Sequence, residues 1–224
     1  LFRYDTKDKV LAERVRLDYL VSAPGRTTLA FVAPADAHEG INAEEPAFLF
    51  YGEGAADTLL TPDELPATLY DETRILHIGS ISLLRGTTPL AVCAVAERLR
   101  GRALLSLDPN IRPSLVSDAP SYRATLDHFI ARADALKLSL ADLVWLEPGA
   151  EREDPLAVAA RYLARGPALV ALTLGQAGAV LVTRGGVALR QAAPRGTVAE
   201  TVGAGDAFAA GLLSALAEGG ATSR

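Results

Sequence analysis

At 224 residues, 50% of them hydrophobic, the chain is long enough to bury a sizeable core, most simply as one α/β domain. Its 22 basic and 27 acidic residues leave a net charge of −5, and no Lys/Arg block marks a nucleic-acid or anionic-membrane footprint, so the expected partner is a small molecule. No stretch reaches the roughly 18 apolar residues of a membrane span, and the opening LFRYDTKDKV is too charged for a signal peptide, so the sequence reads as soluble and cytoplasmic.

Two β-rich runs come first. TTLAFV (Thr27 to Val32) and AFLFY (Ala47 to Tyr51) flank the polar loop PADAHEGINAEEP with no helical pattern between them, which predicts an antiparallel flap standing off the main sheet. From Ile75 onward ILHI, PLAVCAVAERLR, ALLSLD, SYRATLDHFIARAD and ALKLS alternate strand-like with helical patterns, the rhythm of βαβ units in a parallel sheet. ADLVWL, PLAVAARYLARG and the strand ALVALTLG continue it. GAVLVTRGGVALR predicts a hairpin, and a last helix is expected from about Gly205 to Glu218. The single cysteine, Cys93, can form no internal disulfide and reads as a small buried thiol. His38, His77 and His128 share no metal-ligand spacing. The chain opens on Leu1 and has no methionine, which points to a truncated or incompletely recorded sequence.

The most informative stretch is Thr201-Val202-Gly203-Ala204-Gly205-Asp206-Ala207-Phe208. Gly203 and Gly205 beside Ala204 leave the backbone bare, so successive N–H groups can converge on an anion at the start of a helix, where charge on a transferring phosphoryl group would be stabilised. Phe208, Leu212, Leu213 and Leu216 are expected in the core, with Ala207, Ala210, Gly211 and Ala215 allowing close packing. Asp206 falls in the first turn, where the helix dipole favours a carboxylate. There it either steadies the helix or orients a hydroxyl and accepts its proton. No G-x-x-x-x-G-K-[ST] occurs, which disfavours a P-loop kinase, and no G-x-G-x-x-G follows an early strand, which disfavours a dinucleotide-binding dehydrogenase.

Four further segments stand at the ends of strand-like runs, where ligands collect in open α/β sheets. Asp108-Pro109-Asn110-Ile111-Arg112-Pro113 follows ALLSL; its prolines stiffen the turn, and Arg112 offers a planar fork for phosphate or substrate oxygens, or else is a solvated loop residue. In Lys137-Leu138-Ser139-Leu140-Ala141-Asp142 a hydroxyl precedes a carboxylate by three residues, which fits a helix cap as well as a metal-linked role. Thr173-Leu174-Gly175-Gln176-Ala177-Gly178 could by itself be a turn. In His77-Ile78-Gly79-Ser80-Ile81-Ser82, Gly79 allows close approach and Ser80 offers a polar contact, with a core-and-cap reading equally open.

Taken in order, these motifs resemble those of the ribokinase-like (PfkB) carbohydrate kinases, fructokinases above all, over roughly Thr27 to Glu218. The resemblance implies an α/β fold, a ribokinase-like three-layer sandwich with a mostly parallel central sheet and a small β-rich lid, in a single domain over 1–224 with lid segments at about 27–33 and 46–56. It implies transfer of the γ-phosphate of ATP to a sugar hydroxyl, with Asp206 as base and Gly203, Ala204 and Gly205 as the anion hole. Thr173, Gly175, Gly178, Lys137, Ser139 and Asp142 would lie on the ATP and phosphate side, Asp142 also as a metal candidate. Asn110, Arg112, Ser80, Tyr51 and Phe31 would face the sugar, and Thr28, Phe31, Phe48 and Tyr51 would belong to a lid that excludes water and pairs with a second subunit. ATP and Mg2+ are the implied cofactors, with a monovalent cation such as K+ as a further candidate. Mg2+ held mainly by phosphates and water needs little protein ligation.

Departures from the pattern are Glu200 before Thr201, Ser139 and Asp142 in place of N-x-x-E, and Gly52 and Glu53 where some relatives carry Arg. The family's N-terminal strand with its sugar-binding Asp, its G-G-x-x-x-N segment and its C-terminal adenine-pocket stretch find no counterpart. Fructose is the first expectation for the acceptor, with a 2-keto-3-deoxygluconate kinase, a ribokinase or a non-catalytic sugar or nucleotide sensor as rivals.

Overall fold

A computed structural model describes residues 11–33, 47–194, 196 and 202–220, with backbone only for 32, 33, 47 and 48. Within them the chain forms two sheets. Strands β1 (Leu29–Ala33) and β2 (Ala47–Tyr51) pair antiparallel, Leu29 opposite Tyr51 and Phe31 opposite Leu49, as the separate flap that the sequence predicts. The loop between them, with His38, lies outside the described residues, as do Glu200 and Thr201.

The main sheet has six strands, β3 (Ile75–Gly79), β4 (Leu104–Asp108), β5 (Ala135–Ser139), β6 (Leu169–Thr173), β7 (Ala179–Thr183) and β8 (Ala188–Gln191), lying side by side in chain order. The pairs from β3 to β6 are parallel, and β6–β7 and β7–β8 are antiparallel. Helices supply the crossovers that parallel pairing requires. After the short α1 (Thr68–Glu72), α2 (Thr88–Leu99) joins β3 to β4 and α3 (Ala119–Ile130) joins β4 to β5. Then α4 (Leu140–Leu146) and α5 (Pro155–Leu163) lead to β6, and α6 (Ala204–Glu218) ends the described chain.

Local chemistry sets the helix starts. Asp118 and Asp154 cap α3 and α5 by accepting from the N–H groups of Ser121 and Ala157, each ahead of a proline in the first turn, where its missing N–H costs nothing. ADLVWL folds as α4, because Ser139 and Asp142 form a reciprocal cap directly after β5. β4 is buried along its whole length, as a strand covered on both faces must be. The core that holds the strand ends rigid is built from Leu107, Leu126, Ile130, Leu136, Leu138, Leu143, Tyr162, Val170 and Leu172.

Two expectations need correction. In α6 only Ala209 is buried, while Phe208, Leu212, Leu213 and Leu216 are half-buried. Ala207, Ala210, Gly211 and Ala215 are exposed, and a side chain at Gly211 would meet nothing, so the small-residue face packs on no described residue. Cys93 is half-buried against the core, its Sγ 3.9 Å from Nε2 of His128.

Candidate active site

Parallel pairing brings the carboxyl ends of β3, β4 and β5 to one edge of the sheet. At β3 the chain leaves through Gly79, whose φ of 155° and position only glycine tolerates: a Cβ there would lie 1.7 Å from the carbonyl oxygen of Asp108. The two strand ends are then tied, Ser80 N–H donating to the carbonyl of Pro109 at 2.9 Å. Ser80 (φ 54°) and Asn110 (φ 40°) both take left-handed backbone, which residues with a Cβ adopt at a cost and which gathers at ligand sites.

Beneath this edge Lys137 Nζ meets Asp108 Oδ2 at 2.9 Å, with side chains only 6% and 5% exposed. Burial pushes the Asp108 carboxyl above the ordinary carboxylate range, against the pull of Lys137. Its other oxygen, Oδ1, is buried without a hydrogen-bond partner among the described residues. Asp142, also buried, is fully engaged. Its Oδ1 accepts from Ile111 N–H at 2.6 Å, and its Oδ2 accepts from the N–H and hydroxyl of Ser139 at 2.8 and 2.7 Å. It thereby clamps the Asn110–Arg112 turn to the end of β5. Among the described residues no three of His, Cys, Asp and Glu are grouped as metal ligands would be.

The start of α6 completes the arrangement. Gly203, in the left-handed region at φ 83°, turns the chain into a helix whose first N–H groups have no intrahelical acceptor. A side chain begun at Gly205 would lie 3.1 Å from Lys137 Nζ, so the buried ammonium sits directly against this first turn. Asp206 is exposed, and with Ser80, Asp108 and Asn110 it lines a cavity of about 540 Å3. Apolar Leu60, Leu69, Leu76 and Val92 also line it, as does Tyr19, whose hydroxyl donates to Glu72 at 2.8 Å.

The structure thus brings Asp206, Gly205, Lys137, Asn110 and Ser80 together, with Ser139 and Asp142 just behind them. Others stand elsewhere. Thr173 bonds through its hydroxyl to the carbonyl of Leu138 at 3.3 Å, and Gly175 and Gly178 shape the tight turn into β7, Leu174 N–H donating to Gly178 O at 2.8 Å. None of the three lines the cavity. Arg112 is half-buried at the start of the Pro113–Leu115 turn. Phe31 and Tyr51 stack edge to face at 5.7 Å on the flap, 57% and 60% exposed. The side chain of Phe48 lies outside the described residues. Reasoning from sequence placed Asp108 in a motif without giving it a role of its own, and did not single out Tyr19. For Asp108 a signal existed, because a lysine in a buried strand needs a carboxylate on its neighbour.

Comparison with known proteins gives the family. The model of the pfkB family carbohydrate kinases matches residues 7–223. Fructokinase of Rhizobium leguminosarum bv. trifolii is 34% identical over 95% of this chain and 63% of its own length. That of Klebsiella pneumoniae is 36% identical over 93% and 65%. This chain therefore spans a little under two thirds of those relatives. Among solved structures, fructokinase with bound ATP from Xylella fastidiosa superposes with a TM-score of 0.78 at 27% identity, over 94% of this chain and 63% of that one. Fructokinase from Vibrio cholerae O395 with fructose, ADP and calcium ion bound gives 0.76 at 26%, over 94% and 65%.

Proposed function

The chain belongs to the PfkB family of carbohydrate kinases, and from that premise we propose that it is the greater part of an ATP-dependent sugar kinase of fructokinase type. The observation that carries the reading is the position of Asp206, on the first turn of α6, lining one cavity with Ser80, Asp108 and Asn110.

The residues present fit a phosphate group. Bare backbone at Gly203 to Gly205, the positive end of α6 and the Lys137 ammonium all converge where charge would develop on a transferring phosphoryl group. ATP would supply that group, and a divalent cation bound with it would neutralise part of the phosphate charge. Asp206 takes the proton of the sugar hydroxyl as it attacks, and Asn110 and Ser80 orient the sugar from the opposite strand ends. Asp142, with both oxygens engaged within the chain, positions the Asn110–Arg112 turn, so a cation bound with ATP would find little ligation from it.

The same proposal takes Mg2+ as the divalent ion, K+ as a monovalent activator, fructose as the acceptor and the cytoplasm as the place of action. It keeps 1–224 as a single domain, with 27–33 and 46–56 as a lid. On the flap, Leu29, Phe31, Leu49 and Tyr51 share one exposed apolar face, which suits pairing with the lid of a second copy. Among the described residues no helix is long and apolar enough to cross a membrane.

The test is a panel of sugars assayed with Mg-ATP on the complete protein, following ADP release and identifying products by mass. Sugar-dependent ADP formation with phosphorylated fructose is the expected result. ATP binding without phosphorylation of any sugar would favour a sensor and overturn the reading.

A further inference from the structure

The proposed reaction leaves His77 without a task, although it stands in the same cavity. Parallel register sets His77 opposite Ser106 and Gly79 opposite Asp108, so these four share one face of the sheet where β3 and β4 end. His77 is exposed there, and it lines the cavity together with Ser80, Asp108, Asn110 and Asp206. Its ring is not loose: Nδ1 lies 3.0 Å from the hydroxyl oxygen of Ser106, a residue only 4% exposed.

That contact decides which nitrogen carries the proton. The Ser106 hydroxyl has no other hydrogen bond among the described residues, so if Nδ1–H were the donor, the hydroxyl proton would be buried without an acceptor, which is costly. The hydroxyl therefore donates to Nδ1, and the neutral ring carries its proton on Nε2. Nε2 has no partner among the described residues, and with Nδ1 turned to β4 it is the ring nitrogen left to the cavity. A single N–H fixed in direction in this way is matched by an oxygen with a free lone pair, which every hydroxyl of a sugar has. We propose that His77 reads one hydroxyl oxygen of the acceptor through Nε2–H, with Ser106 as the positioning residue that sets the tautomer. His77 takes this role within the sugar-kinase reading above, which supplies the class of ligand.

The test is titration calorimetry of the complete protein without ATP, with fructose, glucose, ribose and 2-keto-3-deoxygluconate as probes, on wild type, His77→Asn, His77→Gln and Ser106→Ala, beside turnover with Mg-ATP. Asn sets its amide near the place of Nδ1, keeping the Ser106 contact and losing the cavity donor, whereas Gln carries an N–H out toward the place of Nε2. The sugar that wild type binds most tightly should bind His77→Asn about fivefold more weakly and His77→Gln nearly normally, with Ser106→Ala between them. One monodeoxy analogue of that sugar should bind wild type about as weakly as the parent sugar binds His77→Asn, and should lose nothing further in that variant. Sugar binding that depends on His77 without any phosphorylation would sink the kinase reading and leave the role of His77 standing. Equal sugar binding by wild type and both His77 variants overturns that role with the kinase reading intact, as does a lower melting temperature of His77→Asn with affinity per folded molecule preserved. If wild type binds none of the sugars, the role of His77 is overturned, and turnover judges the kinase reading by itself.

Discussion

Lys137 Nζ lies 2.9 Å from Asp108 Oδ2, and the same nitrogen stands 3.1 Å from where a side chain at Gly205 would begin. A buried ammonium against the positive end of a helix is unfavourable by itself. Asp108 offsets it, and the two positive features are left aimed at one place, as an anion pocket requires.

Lys137→Met should therefore be costly through Asp108. Removing one partner of a buried pair destabilises by about 3–5 kcal/mol, whereas removing both is often close to neutral. Urea unfolding should show Lys137→Met strongly destabilised and the double variant with Asp108→Asn largely restored, yet the double variant should turn over poorly. Equal stability of single and double variants would contradict the pairing.

The pH dependence follows from the same pair. Because burial raises the Asp108 carboxyl above its ordinary 3.8, the folded protein holds a proton that the unfolded chain has released. Its contribution to stability is full below that value and declines as pH rises through the raised one. Lys137→Met removes the opposing pull and extends the window upward, so its deficit should grow with pH. The double variant, lacking the carboxyl, should show no such added slope.

Gly205→Val should disable the phosphate loop with modest effect on the fold. Its Cβ would press on Lys137 Nζ, which Asp108 holds and which has little room to retreat. The affinity for ATP should fall about tenfold or more as the anion contacts are lost, and unchanged ATP binding and turnover would show that the loop holds no phosphate.

Much of this was legible before the structure. Ile75–Gly79, Leu104–Asp108 and Ala135–Ser139 read as strands because a sheet covered on both faces leaves near-continuous apolar runs. The hairpin was visible in its Arg-Gly-Gly turn, and the flap in alternating apolar residues without a helical period. Position within a layer is harder to read. The apolar pattern of α6 looks like core, but its neighbours, not its period, decide burial, and Phe208 and Leu212 end half-buried. Asp108 passed as a turn residue because its partner is distant in sequence, although pairing of Leu107 with Leu136 makes Asp108 and Lys137 the next neighbours across the sheet.

Arg112→Lys separates chemistry from scaffold at the end of β4. The substitution keeps charge and loses the bidentate fork, so turnover should fall about tenfold or more with little change in melting temperature. A large stability loss with activity per folded molecule preserved would instead mark Arg112 as a structural residue.

The most direct test of the account is turnover and ATP affinity measured together for Asp206→Asn. The side chain is exposed to the cavity at the start of α6, so the variant should fold and bind ATP nearly as wild type does. Loss of a general base predicts turnover with Mg-ATP and sugar lower by about 10²-fold or more. Near-normal turnover in a folded, ATP-binding Asp206→Asn protein would contradict the central claim that Asp206 is the catalytic base.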